Sequence, residues 1–198
     1  MNLPNKLTVS RIFLSFLFLF FLFSRGVIFK VLALATFLLA SGTDLLDGYL
    51  AKKNNMLTDF GKLMDPVADK VLTLSAILGF VEMGLIPAWT AVIIVFRELL
   101  ITGLRLLALS KKRVLAAEIG GKHKMVSQVA AIVCVLSFLV VKEAGVKVFK
   151  YWNPHAEILY RNTIFAMMLI TVVLTIISGT SYLIRNRDLY RTDRPRKK

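Results

Sequence analysis

One cysteine in 198 residues leaves nothing for a disulfide to join within the chain. That residue, Cys134, sits in an apolar run and reads as a packing residue. Acid is also scarce, with twelve Asp and Glu against twenty-six Lys and Arg and a net charge of +14. The two histidines, His123 and His155, lack the spacing of a metal-ligand pair. His123 reads as a residue at lipid-headgroup level, and His155 as part of an external loop with Tyr151 and Trp152. There is no internal repeat, and no low-complexity segment beyond the Phe/Leu-rich first apolar run. That run has Lys6 and Arg11 ahead of an apolar centre at 12–23, but F-L-F-S-R-G lacks the small-x-small pattern of a cleaved signal. A retained helix is the expectation.

What is abundant is apolar residue, at 57% of the chain, which exceeds the needs of a soluble domain this size. Runs long enough to cross a bilayer, about 20 residues each, recur at 8–24, 28–51, 61–82, 87–109, 125–142 and 163–184. An all-α integral membrane protein with six transmembrane helices is expected, with a catalytic domain over 1–184 and a basic tail over 185–198. Placing both termini in the cytoplasm puts seventeen basic residues inside and six outside, with Lys70, Arg97 and Arg105 left within spans. The basic residues lie in short juxtamembrane segments and the tail. Anionic membrane lipids are therefore the expected partner of the charge, and nucleic acid is not.

The few acids are not spread evenly: five of the twelve fall between 44 and 69. Carboxylates in apolar helices are costly and need a compensator. Asp44, Asp47, Gly48 and Ala51 share one helical face, as do Gly61, Asp65, Ala68 and Asp69. Asp44 lies about 12 Å before the end of its run and Asp69 about 13 Å after the start of the next. The polar connection holding Asn54, Asn55 and Thr58 would turn the two runs into antiparallel neighbours with four carboxylates at one depth. Such a group repels itself unless cations neutralise it. Hard oxygen donors suit Mg²⁺ or Mn²⁺, two of which form a clamp suited to phosphoryl transfer. Salt bridges to Lys70, Arg97 or Arg105 are the plainer alternative. Asp59 lies off the stripe and reads as a capping or solvated residue.

The pattern D44-x2-D47-G48-x2-A51-K52-x8-G61-x3-D65-x3-D69 resembles the signature of the CDP-alcohol phosphotransferases, and the six-run outline extends the resemblance over nearly the whole chain. Lys52 stands where that family usually has Arg, keeping the charge but losing the planar fork. The resemblance implies displacement of CMP from a CDP-linked lipid by an alcohol. It implies that Asp44, Asp47, Asp65 and Asp69 bind metal and that Asp69 is the general base. Gly48, Ala51 and Gly61 would make room for cytidine, and Lys52 would meet the diphosphate. The N-terminal P-N-x-x-T-x-x-R, with Pro4, Asn5, Thr8 and Arg11, also matches; Thr8 and Arg11 would touch the nucleotide, unless Arg11 is simply a charge at the membrane surface. Members of the family are homodimers, which is the expectation here.

The acceptor is read from R-E-L-L-I-T-G-L-R and G-G-K-H-K. Arg97 and Arg105 lie in apolar sequence, and Lys122 and Lys124 stand at the cytoplasmic entrance of the fifth run. Together they suit an acceptor phosphate. The spacing of Glu98, Thr102 and Arg105 suggests that Glu98 holds Arg105 in place. Pairing of both arginines with Glu98 and the aspartates, with no acceptor role, stays open. These segments resemble those of bacterial phosphatidylglycerophosphate synthases, apart from Met125 where a Thr is expected. That resemblance implies CDP-diacylglycerol as donor, glycerol 3-phosphate as acceptor and the bacterial inner membrane as location. Another acceptor (inositol phosphate, serine or phosphatidylglycerol), a divalent-cation transporter and a structural membrane subunit remain as competing readings.

Overall fold

The computed structural model describes residues 3–54, 59–110, 119–149 and 151–187, with side chains described at 10–42, 70–108, 110, 121, 123–149 and 151–187. Six helices follow one another: α1 (Leu3–Phe23), α2 (Val27–Asn54), α3 (Asp59–Glu82), α4 (Ala88–Ser110), α5 (Ile119–Lys147) and α6 (Pro154–Arg185). Each covers one of the six apolar runs to within one residue. The ends differ most for α5 and α6, which begin at Ile119 rather than 125 and at Pro154 rather than 163. Apolarity marks what is hidden from water, whereas a helix extends as far as its caps allow. At α6 the cap is local: the Asn153 side chain accepts from the His155 N–H at 2.9 Å, Pro154 fills the first turn, and Glu157 favours the positive end of the dipole.

The helices close into a ring. α1 packs against α2 and α3, α3 against α4, α4 against α6, α6 against α5, and α5 back against α2. Among the described residues α2 and α3 touch only briefly, and α1 lies against both. One apolar core fills the ring, built on Phe18, Phe37, Phe80, Ile94, Ile132, Phe138 and Ile164. Outward faces keep large apolar side chains, such as Phe13, Phe16 and Phe20 on α1, Phe96 and Leu99 on α4, and Ile170, Val173 and Ile177 on α6. Two stretches among the described residues, His123–Lys147 and Pro154–Arg185, are long and apolar enough to cross a membrane; Ser10–Phe23 and Val27–Gly42 are shorter apolar helices.

The turns explain how neighbouring helices are held. After α3, Gly84 adopts φ +65° and the N–H groups of Gly84 and Leu85 reach back to Val81 and Phe80, each at 2.9 Å. This pattern closes a helix and needs a residue free to enter the left-handed region. Between α1 and α2, the Gly26 N–H donates to Glu143 Oε1 of α5 at 2.9 Å, and the Lys30 ammonium donates to the Leu22 carbonyl. Lys30 is therefore buried against the end of α1 and is not simply an external charge. Between α5 and α6, Glu157 accepts from Lys142 at 2.7 Å, from the Trp152 indole at 3.0 Å and from Arg161 at 3.2 Å. The Trp152 ring meanwhile covers Gly145. His155 is exposed, as is Tyr151, whereas Trp152 is half-buried against Phe138.

Candidate active site

Asp44, Asp47, Gly48, Ala51 and Lys52 lie on helical backbone of α2, and Gly61, Asp65 and Asp69 on helical backbone of α3. The spacings noted above therefore fall on real helices, at the register of one face each. The side chains of these residues, and those of Thr8 and Lys122, lie outside the described ones. The donor set fits a divalent cation by its chemistry: four carboxylates offer hard oxygen ligands, and neither cysteine nor histidine occurs among them. Among the described residues no cluster of three or more His, Cys, Asp or Glu occurs.

Lys70, one residue beyond Asp69, belongs to a charged cluster centred on Glu98. Glu98 of α4 is 7% exposed and receives cations from three helices. Its Oε1 takes the Lys124 ammonium of α5 and the Arg97 guanidinium at 3.1 Å, and its Oε2 takes the Lys70 ammonium of α3 at 3.3 Å. Lys70 also donates to the Thr102 hydroxyl, one turn along α4 from Glu98, and to the Glu98 carbonyl at 3.3 Å. Arg97 reaches the other way with its second nitrogen, donating to Ser178 Oγ of α6 at 3.0 Å. Gly179 permits this approach, because a Cβ there would stand 3.1 Å from Arg97 Cγ. Four helices thus contribute to one buried polar network, in which a lone unpaired charge would be strongly disfavoured.

Arg105 is placed apart from that network. Its guanidinium lies over the ring of Tyr182 at 5.9 Å from the centroid, within cation–π reach. The expected pairing of Glu98 with Arg105 is therefore corrected: Glu98 turns to Lys124, Lys70 and Arg97 instead. Two helical turns separate 98 from 105, whereas neighbouring helices bring cations alongside directly. The alternative in which both arginines pair with Glu98 holds for Arg97, and among the described residues no carboxylate lies in ion-pair range of Arg105. The sequence does not mark Lys70 or Ser178 as site residues. A lysine inside an apolar run signals that a partner must exist; no periodicity along α3 indicates that the partner is on α4. Ser178 carries no such signal.

Arg11 is 5% exposed, so it faces protein and not a membrane surface. Its carbonyl accepts from the Ser15 hydroxyl at 2.8 Å. His123 is exposed beside the buried Lys124, and Cys134 is half-buried and free.

Comparison with known proteins gives the family. The pattern of the family described as CDP-alcohol phosphatidyltransferase matches residues 1–184. A Bacillus subtilis (strain 168) protein named CDP-diacylglycerol--glycerol-3-phosphate 3-phosphatidyltransferase is 34% identical over 203 residues, covering 96% of this chain and 98% of the relative. A Rickettsia bellii (strain RML369-C) protein of the same name is 35% identical, with 91% of this chain and 93% of the relative covered. A Mycobacterium tuberculosis (strain H37Rv) protein named probable phosphatidylglycerophosphate synthase is 36% identical, with 93% and 81% covered. The match spans the aspartate-bearing helices and the cation cluster alike: the chain belongs to the CDP-alcohol phosphatidyltransferase family.

Proposed function

We propose that this protein is a membrane enzyme that transfers the phosphatidyl group of CDP-diacylglycerol to sn-glycerol 3-phosphate, releasing CMP and forming phosphatidylglycerophosphate. The family and the names of its relatives support the reaction. The observation that carries the acceptor is the convergence of Lys70, Arg97 and Lys124 on the single carboxylate of Glu98, with Lys70 one residue past Asp69. An uncharged acceptor would need no such surplus of cations.

In this reading Asp44, Asp47, Asp65 and Asp69 hold two divalent ions, Mg²⁺ or Mn²⁺, which when bound supply charge neutralisation to the diphosphate and the departing CMP. Gly48, Ala51 and Gly61 leave room for the cytidine, Lys52 meets the diphosphate, and Thr8 and Arg11 border the nucleotide. Arg97, Arg105, Lys122 and Lys124 hold the phosphate of the acceptor, so that its primary hydroxyl, at the far end of the glycerol, faces the phosphatidyl phosphorus. Asp69 takes the proton of that hydroxyl as the new P–O bond forms and the bond to CMP breaks. Orientation does much of the work, since fixing acceptor and donor together removes a large entropic part of the barrier.

The six helices serve as six spans with both termini cytoplasmic, in the inner membrane of a bacterial cell. Residues 1–184 form the catalytic domain and 185–198 a basic tail beside anionic lipids. The working unit is a homodimer. The decisive assay is CMP release in detergent–lipid micelles containing CDP-diacylglycerol and Mg²⁺ or Mn²⁺, with a panel of alcohols. Release is expected with glycerol 3-phosphate and not with glycerol, serine or inositol phosphate. Turnover with a different member of the panel would reassign the acceptor, and Mg²⁺ uptake into proteoliposomes without any CMP would replace the enzyme by a transporter.

A further inference from the structure

Glu98 has a place in the network that neither the family signature nor the acceptor reading uses. Among the described residues it is the single anion at the meeting point of Lys70, Arg97 and Lys124, which come from α3, α4 and α5. All four side chains are largely removed from solvent, at 18%, 13%, 6% and 9% exposure for Lys70, Arg97, Lys124 and Glu98. Three positive charges and one negative leave a surplus of two. A phosphate monoester near neutral pH carries about −1.5 to −2, so the surplus matches one such group.

We propose that Glu98 is a positioning residue: its carboxylate gathers Lys70, Arg97 and Lys124 into a cradle whose remaining charge takes the phosphate dianion of the acceptor. This rests on the acceptor reading above and adds both Glu98 and Lys70 to it. Each carboxylate oxygen has its own role. Oε1 joins Arg97 to Lys124 across the α4–α5 gap, and Oε2 secures Lys70, whose other donor contacts run to Thr102 and the Glu98 carbonyl. Arg97 is steadied from behind by Ser178. Without the central anion, three like charges at this separation in a poorly screened interior repel and splay apart. A phosphate would then have to gather them at the cost of its own binding energy. Glu98 keeps them preassembled.

The test compares wild type, Glu98→Gln and Glu98→Asp as full-length protein in detergent–lipid micelles, measuring initial rates against each substrate separately. Glu98→Gln is expected to raise KM for glycerol 3-phosphate at least about tenfold, the loss of one charge-assisted interaction, while kcat and the KM for CDP-diacylglycerol stay within about threefold. Glu98→Asp, which keeps the charge on a shorter arm, is expected to fall between the two. An acceptor KM unchanged in both variants overturns the proposal, as does a proportionate loss of kcat and of affinity for both substrates, which a merely structural role would give. Should Glu98→Gln fail to fold, Glu98→Asp alone decides by the same criteria. Binding of inorganic phosphate, measured by calorimetry without donor, separates this inference from the reaction assigned above. Phosphate binding that Glu98→Asp weakens supports the cradle even if no alcohol releases CMP, and binding that Glu98→Asp leaves intact overturns it.

Discussion

Replacing Asp65 by Asn keeps the size of the side chain and removes a charge from the four-carboxylate donor set. In the proposed mechanism turnover should fall to background while the protein still folds, and stabilisation by Mg²⁺ in a thermal-shift assay should disappear with it. Retained turnover would overturn the role of Asp65 as a ligand. Arg105→Ala addresses a different group. Its guanidinium lies over Tyr182 and outside the Glu98 network, so its loss should raise the acceptor KM about tenfold without moving the KM of the donor. An unaltered acceptor KM removes Arg105 from the phosphate site. At this scale the sequence is an uneven guide. The shared helical face of each aspartate pair was legible because each pair lies on one helix, as was the need of Arg97 for a partner. The partner of Lys70 could not, since Thr102 and Glu98 come from another helix. For Arg105, one-helix spacing pointed to Glu98, and the aromatic ring that receives it comes from α6.

The helices themselves were foreseen because each carries an apolar run, and their ends were missed wherever a polar cap or amphipathic turn extends beyond it. The first turns of α6 show the cause. Asn153, Pro154 and Glu157 form a helix start of polar residues that an apolar window passes over. The α5–α6 connection is also where close approach matters most. A Cβ on Gly145 would stand 2.7 Å from Trp152 Cε3 and 3.1 Å from the Tyr151 carbonyl oxygen. The backbone oxygen cannot swing away, so Gly145→Ala should destabilise the protein by about 1–3 kcal/mol. The same substitution should leave both substrate KM values unchanged, because Lys124, the member of the Glu98 cluster on α5, lies near the other end of that helix. Thermal melting in detergent alongside initial rates checks both parts. No loss of stability would mean that Trp152 leaves its place over Gly145 without penalty.

Across the whole molecule, the proposed topology makes opposite ends of the ring chemically distinguishable. With Cys134 replaced by serine, a cysteine introduced at exposed Glu82 should react with a membrane-impermeant maleimide from the outside of intact cells. One introduced at exposed His123 should react only after the cells are opened. The reverse pattern would invert the orientation, and equal labelling of both would argue against six spans. The closed order of helices, α1–α2–α5–α6–α4–α3, also bears on biogenesis. α1 precedes α2 in the chain, yet α3 is also its neighbour, and α4 has to wait for α6 before Arg97 meets Ser178. Nascent chains stalled anywhere before residue 178 therefore lack the support behind Arg97. In the proposed enzyme the acceptor end is therefore completed only once α6 has joined α4, so a chain lacking α6 should bind neither acceptor nor inorganic phosphate.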